Sequence, residues 1–136
     1  MKAIYQTSAT AIGGRNGKVR TDDGNLELEV RMPISLGGIG GGYTNPEQLF
    51  AAGYAACFDN ALNHVAKNQR IAISSKVTAK VGLVQAEFGF DLEVALDVEI
   101  NGIEEDEAKQ LLQTAHAVCP YSRAIRNNVK VELNLV

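Results

Sequence analysis

One stretch, residues 43–68, limits the folds open to this chain more than any other: YTNPEQLFAAGYAACFDNALNHVAKN. Asn45 suits a helix N-cap, Pro46 suits the first helical position, and Gln48 lies at the spacing of a capping box. The run that follows, LFAAGYAACF, is apolar on every side of a helix, so it has to be enclosed by its own chain or by a second copy. Its ten residues are too few to span a bilayer. We therefore predict a long, buried central helix over residues 46–67.

Cys57 lies inside this apolar run, with alanines and a glycine as neighbours. Most buried cysteines are small core hydrophobes, and that interpretation of Cys57 stays open. A thiol attacks only as the thiolate, and burial raises its pKa by penalising the charged form. Cys57 is about three turns into its helix, where the dipole gives little help. A reactive Cys57 therefore needs a cation from elsewhere in the fold.

The neighbours of Cys57 on the same helix do not supply that cation. His64 lies roughly 10 Å further along the axis, and Glu47 lies roughly 15 Å back, at 1.5 Å of rise per residue. Arg15 is a candidate because it sits in the glycine-flanked turn GGRNG, which could place its guanidinium over the helix. A solvated turn arginine is the alternative interpretation.

Cys119 precedes Pro120, and proline disfavours helical geometry in the residue before it. The sequence thus predicts that Cys119 lies at a joint between two helices and at the N-cap of the second, where a thiolate is favoured. The two cysteines could form an attacking and resolving pair, or they could be unrelated. The absence of a CxxC motif argues against a zinc site and a thioredoxin-type motif. For His116 a structural hydrogen bond is expected.

The rest of the chain predicts an α+β domain. Asn16-Gly17 and Asp23-Gly24 are hairpin-turn signals that divide residues 2–32 into a three-stranded meander, with its first strand over 2–11. The run LGGIGGG lacks the spacing of a nucleotide loop and is expected to be a flexible connection. Further predicted elements are strands over 71–84, 87–101 and 129–135 and helices over 104–117 and 120–127. Apolar residues alternate from 88 to 100, which predicts one buried face. We expect a single domain, 1–136, with antiparallel strands around the central helix.

The composition excludes some classes of function. The net charge is −3 with no basic block, so neither nucleic acid nor an anionic membrane is an expected partner. Hydrophobic residues make up 46% and charged residues 21%, as in ordinary globular proteins. The first residues, MKAIYQTSATAI, lack the apolar core of a signal peptide, which predicts a cytoplasmic protein. In a reducing compartment the two cysteines are not expected to form a permanent disulfide.

Two motifs resemble a known family. TNPEQLFAAGYAACF around Cys57 and AHAVCPYSRAIRNN around Cys119 resemble the organic hydroperoxide resistance proteins of the Ohr/OsmC family. The resemblance extends to GGRNGKVRTDDG near the start and to the last strand, so it covers essentially the whole chain. The VCPYS element indicates the Ohr branch.

The resemblance implies a thiol peroxidase for organic, fatty-acid-type hydroperoxides. Cys57 would be the peroxidatic thiolate and Cys119 the resolving thiol, with Arg15 and Glu47 as polar partners that hold the thiolate and orient the peroxide. It also implies an OsmC-like fold, an intertwined homodimer, no bound cofactor or metal, and a lipoyl dithiol on a protein as electron donor. A peroxide sensor and a binding protein for apolar acyl chains are the alternatives.

The helix spacing adds one hypothesis. If residues 46–67 form one straight helix, Glu47 cannot touch Cys57 of its own chain. Arg15 and Glu47 would then reach Cys57 of the partner subunit.

Overall fold

The computed structural model describes all 136 residues. They form two compact units, Met1–Leu49 and Phe50–Val136, and each unit is described by itself below. The α+β class predicted from the sequence is confirmed. A single domain over residues 1–136 stays a prediction.

The first unit contains the predicted three-stranded antiparallel meander. Its strands are β1 (Ala9–Ile12), β2 (Gly17–Thr21) and β3 (Glu27–Val30), in the order β1-β2-β3. The prediction of a first strand over residues 2–11 is wrong at its start. Ala9 pairs with Thr21, the last residue of β2, so the residues before Ala9 have almost no strand opposite them to pair with.

The glycine-rich run of residues 36–42 connects β3 to the central helix. A 3-10 turn, Ile34–Leu36, precedes it and ends at Gly37, whose φ of 86° favours glycine. Beyond the loop the chain returns to β3: the Arg31 amide donates to the Thr44 carbonyl at 3.0 Å, and the Thr44 amide donates to the Glu29 carbonyl at 3.2 Å. The predicted connecting role is confirmed, and the loop delivers the chain beside β3 just before the helix begins.

The central helix, α1, runs from Pro46 to Asn68 as predicted. The amide of Gln48 donates to Asn45 Oδ1 at 2.9 Å, which confirms the N-cap. The capping box is only half formed, because the Gln48 side chain accepts a hydrogen bond from the Thr44 hydroxyl at 3.0 Å instead. No helix in the structure has both the length and the apolar content that a bilayer crossing requires. The cytoplasmic location stays a prediction.

The start of α1 is not fully covered by its own chain. Within the chain, three large side chains of this helix are buried without exposed surface, namely Tyr54, Phe58 and Leu62. Ala52 and Ala56, on another side of the helix, are exposed. An all-apolar helix has to be enclosed, and this chain by itself covers only part of the surface of α1.

The second unit contains a mixed sheet. A long antiparallel hairpin is formed by β4 (Ser74–Ala86) and β5 (Gly89–Asn101), and β6 (Val131–Leu135) joins β5 in parallel. The expectation of a wholly antiparallel arrangement is wrong for this last strand. The helices α2 (Glu105–Val118) and α3 (Pro120–Ile125) lie between β5 and β6 and carry the chain back to the same end of the sheet, as a parallel pair requires.

The buried face predicted for β5 covers only its second half. Alternate residues from Val94 to Ile100 belong to the hydrophobic core, together with side chains of α1 and α2. Phe88 and Phe90, near the tip of the hairpin, are 93% and 64% exposed. Apolar residues do alternate along the whole of β5, as predicted. The core, however, buries this face only from Val94 to Ile100.

The N-cap of α1 yields a stability prediction. We expect Asn45→Ala to lower the free energy of unfolding by about 1 kcal/mol, because the Gln48 amide loses its acceptor. Urea denaturation followed by circular dichroism measures it. Asn45→Asp keeps an acceptor oxygen and should stay close to the parent protein. Equal stabilities of the alanine and aspartate variants would contradict the capping role.

Candidate active site

The structure brings the two cysteines of the chain together. Cys57 Sγ on α1 and Cys119 Sγ lie 3.8 Å apart, and both thiols are free. Cys119 is fully buried, whereas Cys57 keeps some exposed surface. A disulfide requires the sulfur atoms to approach to about 2.05 Å, so the two thiols would have to move closer together and lose two electrons to an oxidant to form one. The two cysteines are therefore neighbours in space, whereas their roles as attacking and resolving thiols stay a prediction.

Cys119 lies at a joint between two helices, as predicted. It ends α2 and precedes Pro120, the first residue of α3, with an extended ψ of 124°. Its amide donates to the Ala115 carbonyl at 2.8 Å, and its carbonyl accepts from the Arg123 amide at 2.9 Å. The backbone of Cys119 is thus hydrogen-bonded into both helices, which anchors the main chain at this joint.

The environment of Cys57 opposes ionisation. Burial raises the pKa of the Cys57 thiol, and the adjacent Cys119 raises it further. The backbone N–H of Tyr121, in the first turn of α3, is hydrogen-bonded to the sulfur and acts in the opposite direction on this pKa. None of the groups that shift the pKa of Cys57 is a cation.

Arg15 and Glu47, both in the first unit, form a two-pronged ion pair. Arg15 Nη1 donates to Glu47 Oε2 at 2.8 Å, and Arg15 Nη2 donates to Glu47 Oε1 at 2.6 Å. The hydrogen bond from Arg15 is the main cause that lowers the pKa of Glu47, against a smaller upward effect of burial. Such a planar pair fixes the guanidinium in one orientation. The pairing agrees with the resemblance, whereas the action of these residues on Cys57 stays a prediction.

The second unit contains a polar group of its own, and the sequence did not predict it as a group. Ser122 is fully buried, and its Oγ lies 2.6 Å from the Tyr54 hydroxyl and 2.9 Å from His116 Nδ1. The structural hydrogen bond expected for His116 is therefore confirmed. Tyr54 belongs to a buried apolar run, and a buried phenol usually finds a hydrogen-bond partner, which was the available signal. Nothing in the sequence identified that partner as Ser122.

The ring of Tyr54 packs with two further aromatic rings, those of Phe50 and Tyr121. The ring centroids of Phe50 and Tyr54 are 6.0 Å apart, those of Tyr54 and Tyr121 are 5.7 Å apart, and those of Phe50 and Tyr121 are 6.2 Å apart. Gly53 makes room for the cluster, since a Cβ there would lie 2.5 Å from the Tyr121 hydroxyl. Tyr54 and Phe58 have no exposed surface and are core residues in this chain.

Comparison with known proteins agrees with this fold. Residues 39–134 match the family described as OsmC-like protein. The organic hydroperoxide resistance protein OhrB of Bacillus subtilis is 46% identical over 137 residues, which cover 98% of each chain. The organic hydroperoxide resistance protein of Xanthomonas axonopodis pv. citri is 43% identical, over 98% of this chain and 96% of the relative.

Solved structures show the same similarity. An organic hydroperoxide resistance protein from Legionella pneumophila matches with a TM-score of 0.95 and 54% identity, covering 98% of both chains. A homologue from Vibrio cholerae, with captopril bound in one of its active sites, matches with a TM-score of 0.94 and 51% identity over 99% of this chain and 94% of that chain.

The fold and the paired cysteines therefore define an OsmC-like protein, and the chain belongs to the Ohr/OsmC family. The resemblance seen in the sequence is confirmed. Within the family its similarity is to the organic hydroperoxide resistance proteins.

The half-buried imidazole of His116 yields a pH prediction. Burial and, secondarily, the charge of Arg126 hold the pKa of His116 below its ordinary value of 6.5. As the pH falls below that value the unfolded chain binds more protons than the folded one, so stability is lost on acidification. At pH values well above 6.5, His116 is neutral in both the folded and the unfolded chain, so it no longer makes the free energy of unfolding depend on pH.

We expect the free energy of unfolding to fall more steeply from neutral pH to about pH 5 in the parent protein than in His116→Asn. Asparagine keeps a hydrogen-bonding group near Nδ1 but does not titrate. Urea denaturation across this pH range measures the two slopes. Identical slopes would show that His116 does not carry the effect.

Proposed function

We propose that this chain is a thiol peroxidase that reduces organic, fatty-acid-type hydroperoxides to alcohols. The observation that carries the proposal is the 3.8 Å separation of Cys57 and Cys119, in a chain similar throughout its length to proteins named for organic hydroperoxide resistance. A half-buried thiol beside a fully buried one suits an attacking and a resolving cysteine.

The proposed reaction has three steps. The Cys57 thiolate attacks one oxygen of the peroxide, the O–O bond breaks, and the alkoxide leaves as an alcohol after taking up a proton. Cys57 is then a sulfenic acid. The Cys119 thiol condenses with it to give a disulfide and water, which is the reversible branch of cysteine oxidation. A dithiol, proposed to be a lipoyl group carried on a protein, reduces the disulfide by exchange.

Arg15 and Glu47 are proposed to keep the thiolate charged and to stabilise the leaving oxygen. A guanidinium beside the sulfur would offset the burial that raises the pKa of Cys57. Glu47 would hold that guanidinium in place through the bidentate pair. Because Glu47 and Cys57 are ten positions apart on one continuous helix, roughly 15 Å of rise, we propose that the pair serves Cys57 of a second copy.

A homodimer is part of the proposal. The exposed alanines on α1 and the exposed Phe88 and Phe90 on the β4–β5 hairpin support it, because they are apolar surfaces without cover in the single chain. An intertwined pair of chains would enclose the apolar helix that one chain covers only in part.

The reaction is tested directly by steady-state assay. We expect consumption of cumene hydroperoxide with dihydrolipoamide as reductant, and loss of consumption in Cys57→Ser, because serine cannot supply a thiolate. Mass spectrometry after one equivalent of peroxide should show a disulfide between Cys57 and Cys119. An inert acyl-chain binder would show neither turnover nor a disulfide, and a sensor would show the disulfide without appreciable turnover.

The role of the cation is tested with Arg15→Ala. We expect the second-order rate constant with the peroxide to fall by roughly 100-fold or more, as for loss of a group that stabilises developing charge. The thiolate absorbance of Cys57 should titrate at higher pH. Arg20→Ala on β2 removes an exposed arginine and is the matched control. Wild-type rates in a folded Arg15→Ala protein would refute the role.

A further inference from the structure

Ser122 is the buried polar residue at which three helices meet. It lies on α3, and its single hydroxyl is hydrogen-bonded to Tyr54 on α1 at 2.6 Å and to His116 on α2 at 2.9 Å. Ser122 has no exposed surface, and neither does Tyr54. A serine hydroxyl has one donor and two acceptor positions, so it can bridge two partners at once.

The spacing of these residues repeats the spacing of the cysteines. Tyr54 lies three positions before Cys57 on α1, and Ser122 lies three positions after Cys119 at the start of α3. Residues three apart on a helix are neighbours on its surface. The bond between Tyr54 and Ser122 therefore runs alongside the contact between the two sulfur atoms, as a second link between the same two segments.

The hydrogen bond to His116 links Ser122 to the segment that precedes Cys119. His116 lies three positions before Cys119, near the end of α2, so Ser122 connects the segments before and after Cys119. Arg126 reinforces this link from beyond α3, where its Nη2 donates to the His116 carbonyl at 2.7 Å and to the Ala117 carbonyl at 3.4 Å. A single hydroxyl thus connects the joint that carries Cys119 to a side chain of α1 and to a side chain of α2.

We infer that Ser122, with Tyr54 and His116, positions Cys119 for bond formation with Cys57. These are positioning residues, because they act through the location of the Cys119 sulfur and take no part in the transfer of electrons. The inference rests on the proposed function only where it concerns turnover.

In the proposed reaction, the position of the Cys119 sulfur decides which of two reactions the Cys57 sulfenic acid undergoes. Attack by the Cys119 sulfur forms the S–S bond, and the sulfenic oxygen leaves as water with the thiol proton. A second peroxide instead transfers one oxygen to the sulfenic sulfur, giving sulfinic acid and another alcohol, and that oxidation is generally irreversible. Loosening the link at Ser122 would slow the first route and leave the second unchanged.

The first measurement needs no peroxide. The reduced protein is equilibrated with glutathione redox buffers, and mass spectrometry gives the effective molarity of Cys119 toward Cys57. We expect Ser122→Ala and Tyr54→Phe each to lower this effective molarity by roughly tenfold, the size expected for one lost hydrogen bond. Thr114→Ala is the control: its hydroxyl bonds the Gln110 carbonyl within α2, and its loss should change nothing.

A residue that only stabilises the fold would lower the melting temperature and leave the effective molarity where it is. Tyr54→Phe keeps the ring that fills the core, so its effective molarity tests the positioning role even if Ser122→Ala does not fold. His116→Asn, which keeps a hydrogen-bonding group, should retain more of the effective molarity than His116→Ala. Unchanged effective molarity in the folded Ser122→Ala and Tyr54→Phe proteins would overturn the inference.

The second measurement separates this inference from the proposed function. With an organic hydroperoxide, Ser122→Ala should form the sulfenic acid at the wild-type rate and accumulate several times more sulfinic acid at Cys57 per peroxide consumed. Equal sulfinic fractions in the two proteins would count against the positioning role. If the wild-type protein consumed no organic hydroperoxide, the proposed function would fail, while the glutathione equilibrium would still decide whether Ser122 positions the thiols.

Discussion

The burial of Cys57 on an apolar helix is the constraint on which the site depends. Removing a sulfur from water penalises its charged form, and the pKa of Cys57 is raised accordingly. Within the second unit, the backbone N–H of Tyr121 is the group that acts against this effect. That N–H is available because the first amides of a helix have no partner inside the helix. The joint before Pro120 therefore does two things: it places Cys119 beside Cys57 and it directs a free amide at the sulfur.

Gly53 makes this arrangement possible. Without a side chain at Gly53, the Tyr121 ring can lie against the backbone of α1, where a Cβ would be 2.5 Å from its hydroxyl. This close approach brings the start of α3 near enough for the Tyr121 amide to meet Cys57 and for Ser122 to meet Tyr54. Gly53 thus serves the packing of α3 onto α1 and, through it, the geometry of the thiol pair.

Sequence signals predicted the features that depend on neighbouring residues. The N-cap at Asn45, the extent of α1 and the helix joint at Cys119 all follow from residues a few positions apart. The start of β1, the parallel direction of β6 and the exposed half of β5 depend on which strand or core lies opposite, and local patterns do not carry that information. The pairing of Arg15 with Glu47 came only from the family resemblance. Ser122 was missed because its link to Tyr54 joins residues sixty-eight positions apart.

The distance between Glu47 and Cys57 along α1 connects the proposed chemistry to the proposed assembly. α1 is continuous from Pro46 to Asn68, so a group held at its first turn is displaced by about three turns from the thiol on the same helix. A helix with alanine at exposed positions offers a smooth surface that a second chain can approach closely. If a second copy covers that surface, the enclosure of the helix and the delivery of a cation to the sulfur become one event. Dimerisation would then be a condition for ionising Cys57 as well as for burying apolar surface.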